Sequence, residues 1–372
     1  MAFVSVWDPR DPLSWSGIPS AIFTHLVRAG ADVEVIAPLS RSSRYLFLPV
    51  WAASKIAGKT YHVDREPLLI ASYGREIQRR MRGSRFDAIF SIGTIPVSRL
   101  DRSEPVTYWT DAVWDAMTDY YYCNVSGSFE AKARRHEQQA MERAAHAVYS
   151  SEWAVDSVRK HYQIDGDKLA VIPFGPNLEI RHDRAAVESA ISARRGGSCT
   201  LLFLGVDWQR KGGDIAVETA RLLNRQGLKT QLVVAGCKVP GEKPEFVTEL
   251  GFISKRTPEG QARLAQLLRN SHFLIFPTRA ECSAIVLSEA CAFGLPIITT
   301  DTGGIPTYVH QNGNGVRLPL LAGAETYAEA IYRLFHDRAA YEAMALAAWE
   351  EYTRRLNWGS SVGALLSLLR QG

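Results

Sequence analysis

Two glutamates eight residues apart, Glu281 and Glu289, and two adjacent cations, Arg210 and Lys211, are the residues of this 372-residue chain whose types and settings point to chemistry. An ionised carboxylate accepts hydrogen bonds and donates none, and it can take a pair from a vicinal diol, so it suits sugar hydroxyls rather than phosphate. Two neighbouring cations in a loop followed by Gly212 and Gly213 suit the opposite partner, a diphosphate that the chain must approach closely.

The elements that must hold these groups can be read from the flanking residues. Phe273-Leu274-Ile275-Phe276-Pro277 reads as a buried parallel strand ended by proline, and Ile285 to Ala292 as the start of an apolar-faced helix. Glu281 then lies in a strand-to-helix loop, followed by Cys282, Ser283 and Ala284, and Glu289 lies on the helix after Ile285 and Val286. In an open α/β sheet such loops sit at the carboxyl end of the strands, where ligands bind, and the helix offers its first N–H groups to an anion. The expected ligand carries hydroxyls at one end and phosphate at the other. Upstream, Leu201 to Gly205 reads as a strand and Val206-Asp207-Trp208-Gln209-Arg210-Lys211-Gly212-Gly213-Asp214 as the loop leading to the next helix. Each feature has a plainer reading, glutamates as solvated helix charges and an Arg-Lys pair as surface charge, and it is their joint occurrence that favours a site.

Together with Gly294-Leu295-Pro296 and Thr300-Asp301-Thr302-Gly303-Gly304-Ile305-Pro306, the Glu281 segment resembles the Glu-x7-Glu motif of the retaining glycosyltransferases of family 4 (glycosyl transferases group 1). The resemblance implies the GT-B fold: α/β, two Rossmann-like domains facing a cleft, with a C-terminal helix crossing back to the first domain. It assigns Glu281 to donor-sugar hydroxyls, Glu289 to the ribose hydroxyls of the nucleotide, and the amides between them to the diphosphate. The family's Gly-Arg-x4-Lys-Gly pattern places its lysine at Lys211, after Gly205, to neutralise the leaving diphosphate; its arginine falls on Val206, which leaves Arg210 as the candidate substitute. Where the family has Gly-Phe-Gly after the first glutamate, this chain has Cys282-Ser283-Ala284, so the class of donor is better determined than its identity.

The first half is expected to bind the acceptor. Its strands are read at Phe3 to Trp7, Val33 to Ala37, Ala88 to Ser91, Val106 to Trp109 and Ala147 to Ser150, with helices at Ile18 to Ala29 and Ala131 to Ala145. The loop from Asp8 to Ser20 resembles the family's glycine loop, with Gly17 and Ser16 as its cleft residues; it reads equally as a capped turn, with Ser16 capping a helix that has Pro19 near its start. After the fourth strand, Tyr108-Trp109-Thr110-Asp111-Ala112 stands where relatives have a His-Asp pair, and Asp111 is a candidate general base or a helix cap. The second half has strands at Leu201 to Gly205, Leu232 to Gly236, Phe273 to Phe276 and Ile297 to Thr299. Pro173 to Leu178 reads as a hinge and His182 to Ser198 as a polar connection, which divides the chain into 1–175 with a returning helix in 357–372, and 176–356.

Composition narrows the classes. A net charge of +4 without a dense cationic run argues against nucleic acid, no apolar run reaches the roughly twenty residues of a membrane span, and the start reads as a strand rather than a signal peptide. Five cysteines without ligand spacing read as reduced thiols, so a cytoplasmic setting is expected. The nine histidines show no metal-ligand spacing and there is no Asp-x-Asp, so neither a metal nor a cofactor is expected. Arg41, Arg44, Lys55 and Lys59 alternate with Tyr45, Leu46, Phe47, Leu48, Val50, Trp51 and Ile56, a mixture that suits peripheral contact with the inner face of a membrane or a helix packed on its own domain. The expected activity is retaining transfer of a hexose-type sugar from a nucleotide-diphosphate sugar, UDP favoured and GDP as the other base, to a hydroxyl of a glycan, lipid-linked or small-molecule acceptor. A non-catalytic nucleotide-sugar binder and a GT-B epimerase or phosphorylase stay open; a nicotinamide dehydrogenase is disfavoured because no Gly-x-Gly-x-x-Gly follows the first strand.

Overall fold

The computed structural model describes residues 1–11, 14–194 and 196–371. The chain divides into two compact units, one of Met1–Pro173 with Ser361–Gly372, the other of Phe174–Ser360. Each is built on a six-stranded, wholly parallel sheet.

In the first unit the strands are β1 (Ala2–Val4), β2 (Glu34–Ile36), β3 (Ile89–Ile92), β4 (Val106–Thr110), β5 (Ala144–Tyr149) and β6 (Leu169–Val171), in the spatial order β2-β1-β3-β4-β5-β6. The strand direction of travel reverses between β1 and β3, so the loops after these two strands flank the switch point of the sheet, the place where open α/β sheets bind ligands. The helix expected to run to Ala145 stops at Arg143, because Ala144 onward pairs with β4.

The second unit has β7 (Ser198–Leu204), β8 (Lys229–Ala235), β9 (Val247–Glu249), β10 (Phe273–Phe276), β11 (Ile297–Thr300) and β12 (Gly315–Leu318), ordered β12-β11-β10-β7-β8-β9. Alternate residues serve opposite faces: Leu201, Phe203, Leu232, Val234, Phe273 and Ile275 join one apolar cluster, whereas Leu202, Val233, Leu274 and Phe276 join another. With helices covering both faces, the central strand positions 201–204, 232–235 and 273–276 are apolar throughout, which is why they read as unbroken hydrophobic runs. The order gives a switch point between β7 and β10, and the loops after these two strands carry Lys211 and Glu281.

The polar connection expected between His182 and Ser198 is folded instead: Arg184–Ala193 forms a helix capped by the Asp183 carboxylate. Its end supplies Arg194, which is buried and donates to the carbonyls of Leu268, Arg269, Phe293 and Gly294, at 3.2, 2.9, 2.8 and 2.6 Å. One guanidinium thus satisfies carbonyls in the last turn of the helix Pro258–Asn270 and in the two residues that follow the helix Ile285–Ala292, which bears Glu289. Arg194→Met, which keeps the stem but leaves buried carbonyls unpaired, is expected to destabilise this unit by about 2–4 kcal/mol. Thermal unfolding followed by near-ultraviolet circular dichroism checks this, since the first unit's transition should stay in place.

The link between the units is anchored on the second. Phe174 donates its N–H to the Tyr308 hydroxyl at 3.0 Å and accepts from Ser288 Oγ at 2.8 Å, while Trp358 Nε1 donates to the Pro176 carbonyl at 2.8 Å. A Cβ on Gly175 would lie 2.6 Å from the Trp358 backbone nitrogen, so only glycine permits this approach. The last helix, Trp358–Leu369, begins in the second unit and from Ser361 onward belongs to the first.

Candidate functional site

Lys211 is held by the loop that follows β7. The loop closes on itself, Lys211 N–H to the Asp207 carbonyl at 3.1 Å and Gly213 N–H to the Trp208 carbonyl at 3.0 Å, before the helix Gly213–Arg225 begins. Gly212 has φ +72°, and a Cβ there would overlap the Pro277 carbonyl; one on Gly213 would overlap the Trp208 ring. The glycine pair was expected to admit a ligand. The space beside it is filled by the protein's own Pro277 and Trp208, and its role is to seat the β7 loop on the β10 loop.

That seating brings the expected residues together. Lys211 and Glu281 are both buried and form an ion pair, and the Lys211 ammonium sits 4.6 Å from the centre of the Phe276 ring. Burial pushes the Lys211 ammonium below its ordinary pKa, and the Glu281 carboxylate opposes that fall. Arg210 donates to the Ala280 carbonyl at 2.9 Å and places the same nitrogen 3.5 Å from Glu281, so it stands beside the pair rather than apart from it. Backbone bonds from Arg279 to Arg210 at 2.8 Å and from Gly304 to the Glu281 carbonyl at 2.9 Å tie in the loop after β11, where Thr302-Gly303-Gly304 lies. Three loops at the carboxyl ends of β7, β10 and β11 therefore meet at Glu281. Gly205 opens the first of them, close against Lys211, with 3.0 Å between its would-be Cβ and Lys211 Cγ. Val206, where the family has arginine, is 69% exposed and points its apolar side chain to solvent.

Cys282 and Ala284 are buried and Ser283, Ile285 and Val286 half-buried at the start of the helix Ile285–Ala292, which has no side-chain cap. An uncapped helix end offers N–H groups to an anion. Glu289, one helix turn and more beyond, is 2% exposed. It accepts the Asn177 N–H at 3.2 Å and pairs with Lys255, from the loop after β9. Neither glutamate is the solvated charge that spacing alone would have allowed. Lys255 was not legible as a site residue: it is a lone lysine in Ile253-Ser254-Lys255-Arg256, and only the placing of β9 at the sheet edge carries it to Glu289.

In the first unit, Ser16 and Gly17 lie in the loop after β1. Gly17, at φ +83°, is the N-cap of the helix Ile18–Arg28 and makes no side-chain bond, so Ser16 is not the cap. Trp15 and Ser16 are also left-handed, at φ +43° and +56°. Such backbone costs about 1–2 kcal/mol per non-glycine residue, and strain of this kind gathers at ligand-facing turns. Pro12 and Leu13 of the same loop lie outside the described residues. Asp111 follows β4 at its carboxyl end and is half-buried; the next helix, Trp114–Met117, takes Val113 as N-cap without a side-chain bond, so capping by Asp111 is set aside. All five cysteines are free thiols, and no group of three or more metal-ligating side chains occurs among the described residues.

Comparison with known proteins places this geometry in a family. Residues 198–337 match the sequence model described as Glycosyl transferases group 1, and residues 21–180 match that of Glycosyltransferase Family 4. A D-inositol 3-phosphate glycosyltransferase of Nocardiopsis dassonvillei is 28% identical over 260 residues, 65% of this chain and 59% of the relative. One of Streptomyces bingchenggensis is 28% identical over 61% of this chain and 53% of its own. The chain thus spans little more than half the length of the curated relatives it matches. Among solved structures, sucrose-phosphate synthase from Thermosynechococcus elongatus superposes with a TM-score of 0.69 at 17% identity, over 100% of this chain and 98% of the other. HepE of Anabaena, solved with UDP and glucose, gives 0.62 at 14% identity, over 100% and 99%. At such identities these likenesses speak for the fold. With a family model on each half and the same fold throughout, the chain belongs to the group 1 glycosyltransferases of family 4 and has the GT-B fold.

Proposed function

We propose that the protein transfers a hexose-type sugar from a nucleotide-diphosphate sugar to an acceptor hydroxyl, with retention of anomeric configuration and without a metal ion. The observation that carries this reading is the buried Lys211–Glu281 pair at the switch point between β7 and β10, beside the uncapped helix that holds Glu289. As the bond between the anomeric carbon and the diphosphate breaks, negative charge grows on the diphosphate and positive charge on the sugar ring. Lys211, the helix-end amides from Cys282 to Val286 and, beside them, Arg210 are groups that stabilise the first. Glu281 takes hydrogen bonds from sugar hydroxyls and Glu289 from the ribose diol. Within this scheme the lysine paired with each glutamate keeps a buried carboxylate charged and ready until hydroxyls reach it.

The acceptor is assigned to the first unit, to the strained loop at Ser16 and Gly17 and to Asp111 as the group that takes the acceptor's proton. UDP is the favoured nucleotide, in keeping with the UDP-bound HepE, and a hydroxyl on a glycan, lipid-linked or small polyol acceptor is the favoured partner, in keeping with relatives named for inositol phosphate.

Incubation with UDP-sugars and an acceptor panel, read by NMR of the product, tests the reading. The product should keep the donor's anomeric configuration, and turnover should survive excess EDTA. An inverted product, or activity lost on chelation and restored by a divalent ion, sinks the mechanism. Tight UDP-sugar binding with no transfer or hydrolysis points to a binder, and conversion of the nucleotide sugar itself to an epimer points to an epimerase.

A further inference from the structure

Residues 41–60 contain four cations, Arg41, Arg44, Lys55 and Lys59, and no acid. They fold as a 3-10 stretch, Ser42–Phe47, that runs into the helix Leu48–Ile56, and neither element buries a residue. Of its apolar side chains Phe47 packs against the core of the first unit, and most of the others stay exposed. Tyr45, Leu46, Leu48, Val50, Trp51 and Ile56 are 63, 72, 50, 47, 45 and 90% exposed, six of the thirteen large hydrophobic side chains exposed among the described residues, gathered within twelve residues. Large apolar side chains left exposed in such a concentration mark a contact surface.

Arg41 is answered by Asp64 at 3.2 Å, whereas Arg44 and Lys55 lie beside the exposed rings. The Arg44 guanidinium lies 5.5 Å from the Tyr45 ring centre and the Lys55 ammonium 5.1 Å from that of Trp51, so charge and apolar surface are presented together. The 3-10 stretch also forms one wall of a cavity of about 460 Å³, where Ser40, Ser42 and Ser43 face Arg75, Arg79 and Arg82. The one acid on its lining, Glu76, is taken up by Arg80 at 2.7 Å and by the Ser40 N–H at 2.8 Å. Guanidinium groups with serine hydroxyls are the chemistry that receives a phosphate. A second copy of the chain would set Arg44, Lys55 and Lys59 against their own like, with no acid in the segment to answer them. An anionic bilayer answers both the apolar surface and the charge, and no described helix is long and apolar enough to cross one.

We propose that residues 44–56 dock on an anionic membrane surface, with Tyr45, Leu46, Trp51 and Ile56 in the interfacial layer and Arg75, Arg79 and Arg82 on lipid phosphates. The full chain should co-sediment with phosphatidylglycerol–phosphatidylethanolamine vesicles and not with phosphatidylcholine vesicles, and the bound fraction should fall as salt rises from about 0.05 to about 0.5 M. Leu46→Glu/Ile56→Glu should abolish binding. Each of Arg75→Ala, Arg79→Ala and Arg82→Ala should weaken it about five-fold. All five positions are exposed, so thermal unfolding and soluble-acceptor turnover should be unchanged in every variant. Failure of the parent chain to bind anionic vesicles, equal binding to neutral ones, or full binding by Leu46→Glu/Ile56→Glu overturns the proposal. So does a concentration-dependent dimer, seen by sedimentation equilibrium, that the same double substitution dissolves while vesicle binding is absent.

Discussion

Lys211→Ala is expected to lower turnover by about two to three orders of magnitude while donor affinity falls far less. In the proposed mechanism the lysine's charge matters most when the diphosphate carries its full departing charge, so its loss should be felt in the transition state more than in the bound ground state. The structure adds a complication: removing Lys211 takes the ammonium away from the buried Glu281 carboxylate, with Arg210 remaining at 3.5 Å. Breaking a buried ion pair from one side costs about 3–5 kcal/mol in stability. Lys211→Ala should therefore melt early, and the double variant Lys211→Ala/Glu281→Gln should recover part of that stability without recovering turnover. Turnover equal to the parent's in a folded Lys211→Ala protein removes Lys211 from the chemistry. Arg210→Ala asks whether the arginine absent at Val206 has been replaced. Its guanidinium already shares Glu281 and the Ala280 carbonyl, so a loss approaching that of Lys211→Ala identifies it as the substitute, and a loss of less than about ten-fold identifies it as a brace for the loop.

The second large effect separates the two glutamates. If Glu289 receives the ribose diol, Glu289→Ala should weaken UDP and the whole donor alike by about 1–3 kcal/mol, the range of a charge-assisted bond left unmade. Glu281→Ala should leave UDP affinity nearly unchanged and abolish transfer, because its expected partners lie on the sugar. Glu289 also holds the Asn177 N–H and Lys255, so Glu289→Ala should disturb the segment that carries Asn177 as well as any nucleotide contact. Glu289→Gln keeps an acceptor for Asn177 and loses the charge, and Lys255→Met removes the neutralising cation alone. A nucleotide effect should appear in Glu289→Gln; a purely structural one should appear only in Glu289→Ala. Calorimetric titration of UDP into each variant, beside an activity assay, reads all of these. Equal loss of UDP affinity in Glu281→Ala and Glu289→Ala would mean that the two ends of the donor are wrongly assigned.

Much of this was legible in the amino-acid sequence for a local reason. Phe273–Phe276 appears in the structure as read, and Ile285–Ala292 forms the helix expected, because a parallel strand covered on both faces must be apolar at every position and a proline cannot continue it. Once those two elements are known, Glu281 has to lie in the loop at the strand's carboxyl end. What sequence could not give is which strands are neighbours. β6, β9 and β12 are edge strands of three or four residues, and a strand paired on one side only needs no long hydrophobic run, so these three went unread. The short strand β9 sets the position of Lys255, which became visible only as the partner of Glu289.

The same limit governed the groups that read as bland. Arg194 lies in a polar stretch with nothing local to mark it, yet four carbonyls drawn from two distant helix ends converge on it. Gly212 and Gly213 were rightly seen as a close approach, but what approaches them is Pro277 and Trp208. The sequence by itself determined the family, the fold class and the residues that meet at the switch point, because these follow from periodicity and from motifs within one loop. Tertiary structure alone decided which charges neutralise one another and which apolar segment stays uncovered, because partners from distant parts of the chain are chosen by the sheet order, and a helix such as Leu48–Ile56 is exposed or buried according to whether anything else packs on it.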